Sequence, residues 1–339
     1  MRSLKRSTFL SILASTLITL SMAALALGAR PAEAAPFVYV TNANAGTVSV
    51  IDRALNRVVA TVPVGQSPKG AAITPDGKFV YVTNWAVPGS VSVIATASNT
   101  VVATIPVGKL PNGVAITPNG KLAYVTNQES NTVSVIATAH NTVVDTIPVA
   151  CSPFRAAITP NGRFVYVTTS GCSIVDPGGV SVIATASDDV VDIILEDPAH
   201  GVAITPNGRF AYVGGPGVVS VIATAGDTVA ATIPVGGTPD DVAITPDGRV
   251  AYVPIRDSNV WVIYTATNTV VQRINVGNDP ISAAITPSGK YLYVTNEGSN
   301  TISIIATASN TVAATVSGVF SGPTGVAIAR QPTGARNRP

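Results

Sequence analysis

The chain has 339 residues, of which only 11% are charged, with 20 Lys and Arg set against 18 Asp and Glu. A balance of that kind excludes the dense basic surface on which nucleic-acid binders depend. Val, Ala, Thr and Ile dominate, a composition that suits β-structure with most of its strand surface buried.

The chain opens on a basic segment (Arg2, Lys5, Arg6), followed by a mostly apolar run from Phe9 to Leu27 and then by Ala32-Glu33-Ala34. Small residues flanking one position after an apolar run are a secretory cleavage signature, so residues 1–34 read as a signal peptide cut after Ala34. An uncleaved anchor is the alternative, since the run is long enough to cross a bilayer. Its Ser and Thr content and the cleavage signature favour removal. No Cys follows to carry a lipid, and no second apolar span occurs. The mature chain is therefore expected to be secreted, periplasmic or at the cell surface, with no membrane span. The leader takes Arg2, Lys5, Arg6, Arg30 and Glu33 with it, leaving 16 basic against 17 acidic residues. The basic pI of the whole chain thus belongs to the leader.

Beyond the leader one phrase recurs. GVAITPNGKLAYV (Gly113–Val125) returns as GVAITPNGRFAYV (Gly201–Val213) and DVAITPDGRVAYV (Asp241–Val253). Its Ile falls at 73, 116, 158, 204, 244 and 285, with a degenerate seventh copy at Ala327-Ile328-Ala329 and gaps of 40 to 46 residues. A period near 40 holding several β-like runs points to a propeller blade rather than a helical solenoid.

Each period holds four runs. GVAIT, rich in small residues, suits the crowded innermost strand. A run such as FVYVTN (Phe79–Asn84) follows, then VSVI (Val91–Ile94), then VVATIPVG (Val101–Gly108). The last two are nearly continuous β-branched runs, which is expected of strands covered on both faces. No segment shows helical amphipathicity. In Thr74-Pro75-Asp76-Gly77 and its copies, Pro presets the first corner of a hairpin and Gly takes the left-handed position. A second column, Asn56, Asn99, Asn141, Asp188, Asp227, Asn268 and Asn310, marks another corner, because Asn and Asp tolerate positive φ.

The second-run phrase occurs seven times, with Tyr at 39, 81, 124, 166, 212, 252 and 293, while the last GVAIT copy stands at the C-terminal end (Gly325–Ala329). The fold expected is an all-β, seven-bladed propeller of four-stranded antiparallel blades over residues 35–330. The N-terminal strands should pair with the C-terminal one to close the ring. Residues 331–339 are expected to form a disordered tail.

The phrases YVTN at Tyr39–Asn42, Tyr81–Asn84, Tyr124–Asn127 and Tyr293–Asn296, together with PDG and IPVG, resemble the YVTN-repeat family of β-propellers over nearly all of residues 37–329. That resemblance implies an exported or surface-layer propeller more than it implies a reaction. Blade 4 (YVTT, VVDIILED) and blade 5 (YVGG) depart from the pattern.

Strand order places the loops after the YVTN strands and before the GVAIT strands on one face. These are the varied ones: Asn84–Ser90, Asn127–Asn131, Thr169–Gly179 and Ile255–Asn259, the last containing Arg256. Variable loops on a constant scaffold are where binding usually sits. The positions entering the innermost strands should ring the channel mouth: Lys69, Asn112, Phe154 with Arg155, His200, Asp240 with Asp241, Ser282 and Thr324. Arg155 and Asp241 replace a residue that is Gly in four of the seven copies. An Arg, a His and two carboxylates at one opening suit a polar or anionic small molecule; a merely wet, polar rim is the alternative. Trp85 either contacts a ligand or packs its own loop. Trp261, in a Ser column, is expected to pack at a strand edge, and His140 occupies an exposed turn.

Cys151 precedes the first strand of blade 4 and Cys172 follows its second, so antiparallel pairing brings them together. A disulfide is expected in an exported protein. The acidic outer edge of blade 4 (Asp188, Asp189, Asp192, Glu196, Asp197) reads as solvated rather than metal-binding. No phosphate loop, nucleophile elbow or metal motif occurs, so neither cofactor nor metal is expected. The favoured reading is a non-catalytic, monomeric propeller that uses its variable-loop face to bind a protein, glycan or small ligand of the cell envelope or exterior. The rival is a propeller hydrolase or lyase, lactonase-like or streptogramin-lyase-like, with His200, Arg155 and Asp241 at the mouth.

Overall fold

The computed structural model describes residues 37–173, 177–195 and 198–329. The leader, the C-terminal tail and the Glu196-Asp197 pair lie outside these residues, as do 174–176 of the longest mouth-side loop. Within them the chain forms seven four-stranded antiparallel sheets, each running from an innermost to an outermost strand. No helix occurs among the described residues. Blade 1 is built from both ends of the chain: Pro323–Ile328 innermost, then Phe37–Asn42, Thr47–Asp52 and Arg57–Pro63. Val38 pairs with Ile328, Tyr39 with Ala327 and Val40 with Val326, so the ring closes as the repeat count requires.

The phrase YVTN is explained by what each residue touches. Each Tyr is buried, and in six blades its hydroxyl donates to the corner residue of the next blade. Tyr39 reaches Asn99 (2.9 Å), Tyr124 reaches Asp188 (2.7 Å) and Tyr252 reaches Asn310 (2.6 Å). The Asn/Asp column is therefore a latch between blades as well as a corner; all seven members have φ between 47° and 57°. Burial pushes the Tyr39 and Tyr81 hydroxyls up to about 12, so the latch keeps its proton over the physiological range. The Val of each phrase enters one of seven apolar clusters, one per seam between blades. Each fully buried Val or Ile there contributes about 1.5–3 kcal/mol.

The Thr ties inner strands together. A bulge between Pro68 and Ala71 leaves the Gly70 N–H outside the ladder, and Thr83 Oγ1 accepts it at 2.8 Å while donating to the Asn112 carbonyl of the next blade at 2.6 Å. The same double bond recurs at Thr126, where Gly113 N–H donates at 2.8 Å and the Phe154 carbonyl accepts at 2.9 Å. The Asn stiffens its own blade: Asn84 Nδ2 donates to Ser90 and Ser92 on the neighbouring strand at 3.0 and 2.9 Å. Innermost strands run so close that a Cβ on Gly70 would stand 2.4 Å from the Asn112 carbonyl oxygen, which is why small residues prevail there.

Two expectations are corrected. The outermost strands are not covered on both faces: Arg57–Pro63 alternates exposed positions with half-buried ones and the buried Val62, and Val102, Val144 and Val191 are more than half exposed. Continuous β-branching is shared by the buried third strand and the exposed edge strand, so it does not separate them. Trp261 is no edge residue either. It is 5% exposed in the core between blades 5 and 6, in a strand paired on both sides, with the Arg273 guanidinium 3.9 Å from its ring centroid.

Blades 4 and 5 carry Asp rather than Asn in the latch. Desolvation raises the Asp188 carboxyl, with Asp145 and Asp189 adding to it and the Tyr124 bond opposing; desolvation and Asp192 raise Asp227 against its bond from Tyr166. A carboxyl raised in the native state takes up its proton before the unfolded chain does. Stability therefore rises as pH falls from neutral through the native values. Replacing both by Asn, the residue of the other five blades, is expected to raise Tm at pH 7 by about 1–3 °C. Calorimetry should show that gain shrinking as pH approaches 4.

Candidate functional site

The channel axis is lined by the innermost strands, and successive residues of those strands face its mouth and then its throat. The mouth is a cavity of about 180 Å³ whose walls include Lys69, Trp85, Asn112, Gln128, Phe154, Arg155, Arg256 and Glu297. Below it lies a throat of about 120 Å³, where four columns supply Gly (70, 113, 325) or Ser282 and two supply Arg155 and Asp241. Arg155 lines both and marks their junction.

Local irregularity in blades 5 and 6 shapes this opening. Gly214 and Pro254 stand where the other blades have the latching Thr. Without the hydroxyl, the innermost strands shrink to Val202–Ile204 and Ala243–Ile244. Pro254 lacks an N–H, which the shortened partner strand does not require. Asp241 takes over the tie: its Oδ2 accepts from Ser282 Oγ at 2.6 Å and from Ala283 N at 3.1 Å in blade 7. Its other oxygen accepts from Val242 N at 2.9 Å. Asp241 is thus engaged in holding strands together.

The charges of the mouth divide into a paired set and an unpaired one. Arg256 Nε meets Asp240 at 2.6 Å, with the Asp240 side chain 7% exposed, and Arg256 Nη1 stands 3.9 Å from Glu297. Lys69 and Arg155 have no carboxylate within ion-pair distance among the described residues. Arg155 Nε is buried without a hydrogen-bond partner. Desolvation pulls the Lys69 ammonium below its usual range, Glu297 pushes it back up, and Arg155 and Arg256 lower it further. Two aromatic rings flank these cations: Lys69 Nζ lies 5.7 Å from the Trp85 centroid and Arg155 Cζ 5.6 Å from that of Phe154. Trp85 Nε1 donates to Gln128 at 3.2 Å, which fixes the indole in the wall.

Of the residues singled out from sequence, Lys69, Trp85, Asn112, Arg155 and Arg256 share the mouth, and Asp240 anchors Arg256. His200 lines neither cavity. Its ring meets Phe154 edge-on at 5.2 Å, its Nδ1 is buried without a partner, and burial lowers its pKa against the opposing pull of Asp240. No hydrogen bond joins it to a carboxylate among the described residues. Sequence reasoning missed Glu297 and Gln128; each stands directly after a YVTN phrase, in the position that holds Trp85 and Arg256 in other blades, and that shared position is the signal that could find them. Cys151 and Cys172 form a disulfide with Cα atoms 5.8 Å apart, stapling the loop after Thr169 beside Phe154 and Arg155. No cluster of three or more metal-ligating side chains occurs among the described residues, nor does a helix long and apolar enough to cross a membrane.

The described residues form a closed ring of seven four-stranded blades, an all-β propeller whose channel mouth is cationic and flanked by aromatic rings. The family model "Lactonase, 7-bladed beta-propeller" matches residues 32–144 and 218–329, more than half of the chain. The chain belongs to that family. No curated protein matches it. Among solved structures, Kuenenia stuttgartiensis hydrazine synthase is similar at 27% identity and a TM-score of 0.73, over 80% of this chain and 92% of that one. A functionally unknown protein from Desulfotomaculum acetoxidans aligns at 19% identity and a TM-score of 0.75, over 87% and 99% of the two chains. Dihydro-heme d1 dehydrogenase NirN, solved in complex with DHE, aligns at 16% identity and a TM-score of 0.65, over 88% and 77%. The last two likenesses speak to fold alone.

Proposed function

We propose that this propeller binds a small organic anion at its channel mouth, with Lys69 and Arg155 taking the anionic group and Trp85 and Phe154 flanking the body of the molecule. The observation that carries the reading is a pair of cations left without carboxylates, one with a buried, unpartnered Nε, in a cavity that also holds a satisfied ion pair. Desolvated cations form charge-assisted bonds worth about twice neutral ones. A mouth of about 180 Å³ lies below the ~300–1,000 Å³ typical of drug-sized ligands and selects a compact one.

Family membership favours a second reading at the same place, the hydrolysis of a lactone. Ring opening converts a neutral ester into a hydroxy acid, so the negative charge appears during the reaction and persists in the product. Lys69 and Arg155 would stabilise it as it forms. Glu297, in the mouth wall, is the carboxylate placed to take a proton from the attacking water. The disulfide and the leader support a location in an oxidising compartment outside the cytoplasm. A macromolecular partner on this face has no further observation behind it.

NMR on the protein with a panel of aldonolactones, the matching aldonates and neutral alditols tests both readings. The expected result is saturation transfer to the aldonates and none to the alditols. Lactone consumption above the buffer rate, lost in Glu297→Gln, would select hydrolysis. Equal transfer to the alditols, or none to any member, would contradict anion binding.

A further inference from the structure

On the face opposite the mouth, between blades 6 and 7, lies a groove of about 570 Å³ that the anion site does not use. Its walls are mainly apolar (Pro246, Val250, Ala266, Ala308), with Tyr264 along one side and Asp247, Arg249 and Ser288 at hand. The repeat shows how it arose. The third strand ends in Ala in five blades (Ala95, Ala137, Ala184, Ala223, Ala306) and in Asp52 in a sixth; only blade 6 ends in Tyr264. The third residue of the TPDG turn is Asp or Asn in five copies (Asp76, Asn119, Asn161, Asn207, Asp247), and only blade 7 has the smaller Ser288. One departure adds a wall and the other removes a side chain, and both border the same space. Drift in a repeat has no reason to place two complementary changes on one groove.

Tyr264 is 49% exposed, although its column needs no aromatic for packing. A tyrosine ring held half out of the surface offers an apolar face with a polar tip. Asp247 and Arg249, whose groups stand 3.9 Å apart and are 59% and 85% exposed, add an acceptor and a donor without the net charge that would favour an ion. An apolar face, a flanking hydroxyl and a balanced acceptor–donor pair together fit a neutral, ring-shaped, polyhydroxylated molecule. We infer that this groove is a saccharide-binding site, in which Tyr264 stacks on a sugar ring while Asp247, Arg249 and Ser288 bond its hydroxyl groups. It is separate from the mouth, so it would tether the propeller to a glycan without occupying the anion site.

The test is saturation-transfer NMR and calorimetry of the whole protein with cellobiose, maltose and chitobiose. Two variants restore the repeat's own residues, Tyr264→Ala and Ser288→Asn, and a third is Arg155→Ala in the mouth. At least one disaccharide should bind, with affinity falling about tenfold or more in each groove variant and unchanged in Arg155→Ala. Since the groove variants carry side chains that the other blades already accommodate, their thermal unfolding should match the parent. Absence of binding at millimolar disaccharide, or binding indifferent to Tyr264→Ala, would overturn the inference. Binding lost only in Arg155→Ala would assign the sugar to the mouth and overturn it equally.

Discussion

Arg155→Ala is expected to weaken binding of a small carboxylate by about 10–100-fold while leaving the propeller at least as stable as before. The first half follows from magnitude. A charge-assisted hydrogen bond is worth about 1.5–3 kcal/mol, and each 1.4 kcal/mol is roughly tenfold in affinity. The second half follows from the empty-handed state of the guanidinium. Its Nε is buried and unpartnered, and leaving a donor in that condition costs about 1–3 kcal/mol. Removing it from the ligand-free protein relieves that cost, and four blades already manage with Gly in this column. Affinity should fall as Tm stays or rises, an exchange expected where a binding residue is held at the expense of stability. Calorimetric titration and thermal unfolding of one preparation check it. A drop in Tm of several degrees would show that Arg155 serves the fold instead.

Deleting residues 323–339 should abolish cooperative folding, whereas deleting only 331–339 should leave Tm unchanged. The longer deletion removes the innermost strand of blade 1, which pairs with Phe37–Asn42 and places Val326 and Ile328 against the core shared with blade 7. It also removes Thr324, whose hydroxyl meets that of Thr41 at 2.9 Å and donates to the Pro68 carbonyl at 2.9 Å, tying blade 1 to blade 2 at one point. One buried and one half-buried aliphatic side chain and several buried hydrogen bonds sum to an amount comparable with the ~5–15 kcal/mol total stability of a domain. The exposed edge FVYVTN would then invite pairing between molecules. Circular dichroism and size-exclusion chromatography of the two truncations distinguish the outcomes. A soluble, cooperatively unfolding 1–322 chain would mean that closure by the termini is dispensable.

Ring architecture was legible because a repeat prints the same constraint seven times. Tyr, Thr and Asn of the phrase each bond across a strand or a seam, and seven copies of the Tyr, five of the Thr and four of the Asn made the columns visible before any partner was known. The partners were not visible. The Tyr124–Asp188 bond spans 64 residues, and the Asn/Asp column alone accounts only for a corner. Arg155 and Asp241 stood out against a Gly column, yet one is unpaired and the other binds Ser282, a difference set by neighbouring blades that no column records. Arg256 owes its place to Asp240, and Glu297 owes its relevance to Arg256; the two share the position after the YVTN phrase, but its side chain changes from blade to blade, so no common residue flags it.

Crystals grown without ligand and soaked in 4-bromobenzoate put the anion site to its most direct trial, because bromine is located by its own anomalous signal. The expected outcome is a peak in the mouth between Trp85 and Phe154, with the carboxylate within about 3 Å of both Lys69 Nζ and the Arg155 guanidinium. A carboxylate resting on Arg256 alone, or a mouth left without bromine while other sites fill, would contradict anion capture by the unpaired cations.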